Sequence, residues 1–244
     1  MNQADFRFHP TFNHFLPPSR REIAFTHFFD GRVSIKDTIE SLGVPHTEVD
    51  LIVVNDASVD FSYILQDGDK ISVYPVFAAV DIEPKVHLRS QPPTRFVLDI
   101  HLGKLANSLR LLGFDTLYRN DYEDEQLAKI SSSEGRILLT RDRGLLKRSL
   151  VTHGYSVRET NPQLQIVEVL RRFNLFGSIS PFRRCIRCNG TLESVSKEAI
   201  IDQLPPQTRQ NYDEFSRCQS CNQIFWKGTH YQQMLQFIES VKQG

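Results

Sequence analysis

The first 82 residues contain apolar residues at two kinds of spacing, one typical of β-strands and one typical of an α-helix. Four stretches alternate between apolar and polar residues, or run apolar between turn residues, as β-strands do. These predicted strands lie at residues 6–8, 23–25, 49–54 and 71–76. Ile35 and Ile39 recur at helical spacing, and Gly43 is a residue type that commonly follows the end of a helix. Two strands, a helix and further strands in this order predict a small α+β domain over residues 1–82.

Residues 95–178 follow a different pattern, in which short apolar strands alternate with amphipathic helices. The predicted strands lie at 95–98, 115–118, 136–140 and 155–158, and the predicted helices at 100–112, 124–133, 143–151 and after Asn161. Such strands run parallel, because each helix returns the chain to the same end of the sheet. The pattern predicts a parallel sheet flanked by helices. A polar, proline-containing stretch at 83–94 is expected to link this domain to the first.

Composition and charge restrict the class of protein. Hydrophobic residues make up 40% and charged residues 24% of the sequence, which is ordinary for a water-soluble globular protein. The formal net charge is zero, so any patch that attracts a polyanion must be local. No apolar run approaches the roughly 18 residues of a membrane-spanning helix, and the N-terminus lacks the apolar centre of a signal peptide. We therefore expect a cytoplasmic protein without a membrane partner.

Four cysteines form two closely spaced pairs in the last part of the chain. Cys185 and Cys188 make one Cys-x-x-Cys knuckle, and Cys218 and Cys221 make another. Four thiolates at this spacing are typical ligands of tetrahedral Zn²⁺, and a site filled entirely by protein ligands stabilises a fold. A redox pair is the alternative, but neither pair lies at a predicted strand-to-helix junction. The spacing predicts a zinc ribbon over residues 179–244, with Zn²⁺ in a structural role.

Three aspartates of the middle domain are candidates for a second metal site. Asp99 and Asp142 follow predicted strands, and Asp124 begins a predicted helix. The carboxyl ends of parallel strands share one edge of the sheet, where ligands bind in open α/β folds. Carboxylate oxygens suit Mg²⁺ or Mn²⁺, which can orient a phosphodiester and activate water. Each aspartate also has a structural alternative, as a helix N-cap or as a solvated residue.

Two longer runs around these aspartates resemble the RNase domain named for the C-terminal part of the Mut-seven exonuclease. They are DIHLGKLANSLRLLGFD at 99–115 and GRILLTRDRGLL at 135–146. The resemblance extends to the C-terminus and implies a PIN-like fold, in which an acidic cluster binds divalent metal to cut RNA. On matching positions it implies catalytic and metal-binding roles for Asp99, Asp124 and Asp142.

The order of elements in residues 1–82 resembles the β-grasp, or ubiquitin-like, fold. The phrase QDGDKISVYP at 66–75 is similar to the final hairpin of small sulfur-carrier proteins of that fold. Those carriers end in a free Gly-Gly, whereas this chain continues into another domain. The segment also resembles the ubiquitin-like domain that accompanies the RNase in many bacterial members. A protein partner of this domain is one expectation that follows.

Basic residues near the candidate aspartates favour a polyanionic substrate. They outnumber acidic residues between positions 95 and 158, and arginines interleave with phenylalanines from 171 to 187. Such residues can neutralise phosphates or stack on bases. The predicted RNA contacts are Lys104, Arg110, Arg141, Arg143, Arg184 and Arg187. Ordinary solvation of surface lysines and arginines is the alternative for each of them.

Together with the resemblance, these features predict a metal-dependent ribonuclease that hydrolyses RNA phosphodiester bonds. Its expected fold class is α/β, with a PIN-like domain at 95–178 between the β-grasp domain and the zinc ribbon. The substrate can be tRNA, rRNA or mRNA. PIN domains commonly carry a further acid where this chain has Arg143 and Gly144. That departure keeps open a non-catalytic RNA-binding adaptor with a degenerate site, and a DNA-directed nuclease is a further alternative.

Overall fold

The computed structural model describes residues 1–75, 88 and 94–242. The chain forms two compact units, and neither unit is continuous in sequence. The first unit contains Met1–Pro92 and Asp142–Ser156, and the second contains Pro93–Arg141 and Val157–Gly244. The predicted linker at 83–94 lies outside the described residues, apart from positions 88 and 94.

The N-terminal part of the first unit is a five-stranded mixed sheet with one helix. Its elements are β1 (Asn2–Phe8), β2 (Phe25–Phe29), α1 (Ile35–Ser41), β3 (Val49–Val54), β4 (Ala57–Val59) and β5 (Lys70–Pro75). The strand order is β2-β1-β5-β3-β4, and the central pair β1 and β5 is parallel. Parallel first and last strands with a crossing helix are the arrangement of a β-grasp domain, so the expected fold is confirmed.

The core of this sheet follows from the alternation in β1. Phe6 and Phe8 are buried on one face, where Ile35 and Ile39 of α1 are also buried. The strand expected at 23–25 is observed later in the chain, since β2 begins at Phe25 and ends at Phe29. The reason is local: Glu22 has a φ of +62°, a left-handed conformation that does not continue a strand.

The second unit contains the expected parallel sheet. Its first elements are β6 (Arg95–Leu98), α2 (Gly103–Leu111), β7 (Asp115–Tyr118), α3 (Asp124–Glu134), β8 (Ile137–Thr140) and, after the segment 142–156, α5 (Pro162–Arg172). β6 lies between β7 and β8 and is parallel to both. Asn161 caps α5 by accepting a hydrogen bond from the Gln163 N–H, and Pro162 occupies the first helical turn, as the sequence predicts.

The segment 142–156 contains a short helix and a short strand. The helix, α4 (Arg143–Leu146), ends well before the predicted position 151, and β9 (Gly154–Ser156) follows. Leu145 and Leu146 are buried, whereas the next three residues after Lys147 are exposed. Leu150 lies four residues after Leu146 but is 53% exposed, so the apolar spacing that predicts a longer helix is not accompanied by burial beyond the first turn.

The C-terminal part of the second unit is a ribbon. Its elements are β10 (Leu192–Val195), α6 (Pro206–Asn211), β11 (Phe215–Cys218), β12 (Ile224–Trp226) and α7 (Thr229–Lys242). The three strands form an antiparallel sheet in the order β10-β11-β12. Among the helices of the described residues, none has the length and apolar character needed to cross a membrane.

Candidate functional site

Asp99 lies at the carboxyl end of β6 and is 6% exposed. One carboxylate oxygen accepts a hydrogen bond from the His101 N–H at 2.9 Å, which caps a short 3-10 helix at Ile100–Leu102. The other oxygen accepts a hydrogen bond from the Thr140 hydroxyl at 2.6 Å. The structural alternative for Asp99, an N-cap, is thus present in the molecule. A carboxylate oxygen that accepts one hydrogen bond keeps a second lone pair, so this finding is compatible with a role in metal binding.

Thr140 is a partner of Asp99 that sequence reasoning missed. Leu98 pairs with Leu139 across the parallel strands β6 and β8, so the residues that follow this pair are neighbours at the same edge of the sheet. Thr140 is fully buried there, and its hydroxyl fixes the Asp99 carboxylate. The sequence does contain a signal for this contact. Thr140 ends one predicted parallel strand and Asp99 follows the neighbouring one, so their side chains are expected at the same edge of the sheet.

Asp124 and Asp142 both lie at helix starts and are exposed. Asp124 is the first residue of α3, but the cap is Glu123, which forms a capping box with Gln126. Asp142 is itself the N-cap of α4 and accepts a hydrogen bond from the Gly144 N–H at 2.7 Å. Negative charge at these positions is favoured by the helix dipole whether or not a cation is bound.

The three aspartates are divided between the two compact units. Asp99 and Asp124 belong to the second unit, and Asp142 belongs to the first. The hydrogen bonds described for Asp99 and Asp142 lie within their own units. The meeting of all three around one cation stays a prediction.

The four cysteine sulfurs come together in the ribbon. All four Sγ atoms lie within 4.8 Å of one another, and no other group of three or more His, Cys, Asp or Glu side chains within 1–75 and 94–242 is that compact. Cys188 Sγ is 3.4 Å from Cys218 Sγ, and Cys185 Sγ is 3.8 Å from Cys221 Sγ. A tetrahedral Zn²⁺ with bonds of about 2.3 Å requires sulfurs about 3.8 Å apart. The cluster therefore fits a metal such as zinc.

The two knuckles have the same backbone. In each, an Asn follows the second cysteine and its N–H donates to the carbonyl of the first: Asn189 to Cys185 at 2.8 Å, and Asn222 to Cys218 at 3.0 Å. Asn189 and Asn222 have φ values of +69° and +57°. Asparagine tolerates this left-handed conformation better than most residues, so an Asn directly after Cys-x-x-Cys is a sequence signal of this knuckle.

The thiols of the cluster are electrostatically coupled. Burial raises the pKa of Cys188 to about 12, and the neighbouring thiols contribute to the rise. Burial also opposes ionisation of Cys218, but the N–H groups of Cys221 and Ser220 point at its sulfur and bring its pKa to about 7. Cys218 therefore ionises before Cys188, and a bound cation would favour the thiolate at both.

Arg110 connects the knuckle to the parallel sheet. Its guanidinium donates to the carbonyls of Thr116 and Tyr118 in β7, and to those of Ile186 and Arg187 inside the first knuckle. The residue is 3% exposed, and burial lowers its pKa below the ordinary value. The N–H groups of the Arg110 guanidinium are therefore already hydrogen-bonded to carbonyls, whereas a phosphate contact would need them. Arg110 was predicted to contact RNA, but its donors are taken up within the protein, so its role is structural.

Asp115 makes a second connection between sheet and knuckle. Its carboxylate accepts hydrogen bonds from Arg136 at 2.7 Å and from Asn189 Nδ2 at 2.8 Å, and it pairs with Arg184 at 3.4 Å. Asn189 in turn accepts from the Thr116 N–H at 2.8 Å. Burial would raise the pKa of Asp115, but the hydrogen bonds from Arg136 and Asn189 and the two arginine charges lower it below its ordinary value of 3.8.

The lowered pKa of Asp115 predicts an acid-sensitive stability. A carboxyl whose pKa is lower in the folded than in the unfolded state stabilises the fold above its unfolded pKa, and this contribution is lost as pH falls through the folded pKa. We expect the free energy of unfolding to fall more steeply below pH about 4 in the wild type than in Asp115→Asn. Urea unfolding followed by Trp226 fluorescence between pH 5 and pH 2.5 measures both proteins, and parallel curves would contradict the assignment.

The remaining predicted RNA contacts differ in their surroundings. Lys104, Arg141 and Arg187 are exposed, whereas Arg184 is half-buried against Asp115. Arg143 is exposed in the first unit. There its guanidinium donates to the His14 carbonyl at 2.6 Å and lies over the Phe15 ring, 5.0 Å from the centroid. Arg187 also donates to the Gln223 side chain, so within this set hydrogen bonds to other parts of the protein are described for Arg143, Arg184 and Arg187.

Two family models match the chain. The model described as Mut7-C RNAse domain matches residues 94–238, and the model described as Mut7-C ubiquitin matches residues 1–81. The first match covers more than half of the chain and contains the three aspartates and the four cysteines. No curated protein and no solved structure matches the chain significantly.

Proposed function

Because the chain belongs to the Mut7-C RNAse domain family, with a Mut7-C ubiquitin domain before it, we propose that it is a metal-dependent ribonuclease. The family match is the observation that carries the proposal. The position of Asp99 supports it, since a buried, hydrogen-bonded carboxylate at the end of a parallel strand occupies the edge where α/β folds bind ligands. The reaction is hydrolysis of an RNA phosphodiester bond.

Asp99, Asp124 and Asp142 are the proposed ligands of Mg²⁺ or Mn²⁺. Their carboxylate oxygens are the donors that these hard cations prefer. A bound divalent ion at such a site neutralises charge on the phosphate and lowers the pKa of water. The chain's own contribution is orientation. Thr140 and the His101 N–H hold the Asp99 carboxylate in one position, so little reorganisation is needed when substrate binds.

RNA binding is proposed for the accessible cations. Arg141 directly precedes Asp142 in the chain, and Lys104 lies in the first turn of α2, soon after Asp99. Each can neutralise a phosphate beside the reacting bond. Arg143, Arg184 and Arg187 are assigned to the flanking nucleotides. The RNA class, whether tRNA, rRNA or mRNA, is left to experiment.

Zinc is proposed as the structural ion of the four cysteines. A site with four protein thiolates has no open coordination position, so it stabilises the ribbon and takes no part in hydrolysis. We further propose a cytoplasmic location, where a reducing environment keeps paired cysteines available for metal. A protein partner of the β-grasp domain is part of the same proposal.

The test is RNA cleavage by the zinc-loaded full-length protein with and without Mn²⁺. Omission of Mn²⁺ is preferable to a chelator, because a chelator also removes zinc. We expect cleavage of single-stranded or structured RNA that requires Mn²⁺ and leaves DNA of the same sequence intact. Tight RNA binding without cleavage would favour the adaptor, which the absence of an acid at Arg143 and Gly144 makes the second candidate. Faster cleavage of DNA would favour a DNA-directed nuclease.

A further inference from the structure

The segment Asp142–Ser156, called here the Asp142 segment, is packed against the β-grasp domain along its length. Both belong to the first compact unit. The segment begins at a proposed metal ligand and contains α4, a helix of four residues. A helix of one turn is not stable by itself, because nucleation fixes several residues for one hydrogen bond. Contacts outside the helix must therefore hold it.

The buried 3-10 helix at His46–Glu48 makes the central contacts. Glu48 is 1% exposed, and its Oε1 accepts a hydrogen bond from the Ser156 N–H at 2.7 Å. His46 Nε2 lies 3.0 Å from the Val151 carbonyl, also in a buried position. Two backbone groups of the Asp142 segment are thus paired by side chains of the β-grasp domain. Buried groups of this kind are costly to leave unpaired.

Helix α1 supports the same contacts from its C-terminal end. Glu40 Oε1 is 2.6 Å from His46 Nδ1 and fixes the orientation of the ring. The Glu40 carbonyl accepts a hydrogen bond from Lys147 Nζ at 2.6 Å. A lysine at the end of a helix is favoured by the helix dipole, so this contact anchors the residue directly after α4.

The Asp142 segment makes two further contacts with the β-grasp domain, one at Gly154 and one through the guanidinium of Arg143. An added Cβ at Gly154 would overlap Leu146 Cδ2 at 2.6 Å, within the segment, and would make an ordinary van der Waals contact with the Thr47 Cβ of the β-grasp domain at 3.4 Å. At the start of the segment, Arg143 donates to the His14 carbonyl and lies over the Phe15 ring. The Asp142 segment is therefore held at its beginning, middle and end.

We infer that the β-grasp domain is a positioning element for Asp142, acting through Glu48, His46 and Lys147. Asp142 caps α4 with its carboxylate, so the direction of that carboxylate depends on where α4 is held. This inference rests on the proposed function, because it assigns the domain a part in the same reaction. It gives the domain a role within the chain, in addition to any protein partner.

Hydrogen exchange and cleavage kinetics of the full-length, zinc-loaded protein test the inference. Glu48→Ala removes the acceptor of the Ser156 N–H, whereas Glu48→Gln keeps an oxygen there. We expect Ser156 to exchange about tenfold faster in Glu48→Ala, while the amides of β6 and β8 are unchanged. In the same variant kcat for RNA should fall about tenfold with KM within about twofold of wild type, and Glu48→Gln should recover both properties.

Lys147→Met is the second variant, and it decides the question if Glu48→Ala does not fold. It removes the contact with the Glu40 carbonyl near the surface, and it should again lower kcat and leave KM unchanged. Lys70→Met, on an exposed position of β5, is the matched control and should behave as wild type.

The two possible failures have different signatures. If the wild type cleaves RNA and the Glu48 and Lys147 variants cleave equally fast, the positioning role is wrong and the proposed function stands. Unchanged exchange at Ser156 would likewise overturn the inference. If the wild type cleaves no RNA with Mn²⁺, the proposed function fails, and the positioning role fails with it.

Discussion

Asp142→Asn is expected to abolish most RNA cleavage without disturbing the helix that Asp142 caps. Asn is as good an N-cap as Asp, so the hydrogen bond from the Gly144 N–H is retained. The substitution removes the negative charge that the proposed cation requires. Loss of one charged group that stabilises a transition state lowers kcat by about a hundredfold to a thousandfold. The same range is expected here.

Asp99→Asn isolates the charge in the same way at a buried position. The carboxamide oxygen can still accept from the His101 N–H, and the Thr140 hydroxyl can rotate to accept from the new amide group. Both hydrogen bonds therefore survive, and the fold should be nearly as stable as in the wild type. Cleavage should fall by about as much as in Asp142→Asn, because both residues are assigned to the same cation.

Single-turnover cleavage with saturating Mn²⁺ measures both variants, and urea unfolding confirms that they are folded. Asp121→Asn is the control, since Asp121 is an exposed acid paired with Arg119 and has no assigned role in metal binding. It should cleave like the wild type. Full activity in Asp99→Asn or Asp142→Asn would remove the aspartates from the mechanism. Equal losses in all three variants would instead indicate general electrostatics.

The parallel sheet could be predicted from sequence because local signals agree there. The strand 115–118 is observed at the predicted residues, bounded by Gly113 before it and by polar residues after it. Gly113 has a φ of +96°, and a Cβ there would overlap the Ser180 carbonyl, so glycine at this helix end is required by the structure. Turn chemistry and hydrophobic period point to the same boundaries, which makes such elements predictable.

The environment of Arg110 could not be predicted from its own position. It lies on a helix after a candidate active-site residue, where an exposed phosphate contact is a reasonable expectation. Its burial depends on the first knuckle, 76 residues later in the chain, which supplies the Ile186 carbonyl. A contact of such long range leaves no local pattern. The environment of Asp115 could not be predicted for the same reason, since its hydrogen-bond donors Arg136 and Asn189 come from distant segments.

The grouping of 142–156 with the β-grasp domain also lacked a local signal. The hydrophobic pattern there reads as one more helix and strand of the α/β alternation. Polar contacts with Glu48, His46 and Glu40 hold the segment there, and each of these residues alone resembles a surface residue in sequence. Their burial is a property of the tertiary structure, which periodicity does not report.

The ribbon and the parallel sheet are joined by polar groups that depend on the folded knuckle. Arg110 and the Thr116 N–H receive their partners from residues 186, 187 and 189, all within or directly after the first Cys-x-x-Cys. If the knuckle opens, a buried guanidinium and a buried N–H lose these partners. The Thr116 and Tyr118 carbonyls stay with Arg110, but each buried donor left without its partner costs about 1–3 kcal/mol, and more for a charged group. Metal at the cysteines should therefore stabilise the sheet as well as the ribbon.

Cys221→Ser is expected to lower the free energy of unfolding of the second unit by about 3 kcal/mol or more. Cys221 is exposed, so the substitution removes a metal ligand and little packing. The ribbon should open first and β7 should follow, since the Thr116 N–H loses its acceptor on Asn189. Removing zinc from the wild type with a chelator should have the same effect on both parts.

Two probes separate the ribbon from the sheet. Fluorescence of Trp226, the single tryptophan of the chain, reports on β12 in the ribbon. Hydrogen exchange at the Thr116 amide reports on β7, and we expect both to change together when a ligand is lost. Ser194→Ala, on an exposed position of β10, is the control and should leave both unchanged. A Thr116 amide that stays protected after the ribbon has opened would mean that the ribbon folds independently, and that Arg110 and Asn189 do not couple the metal site to the sheet.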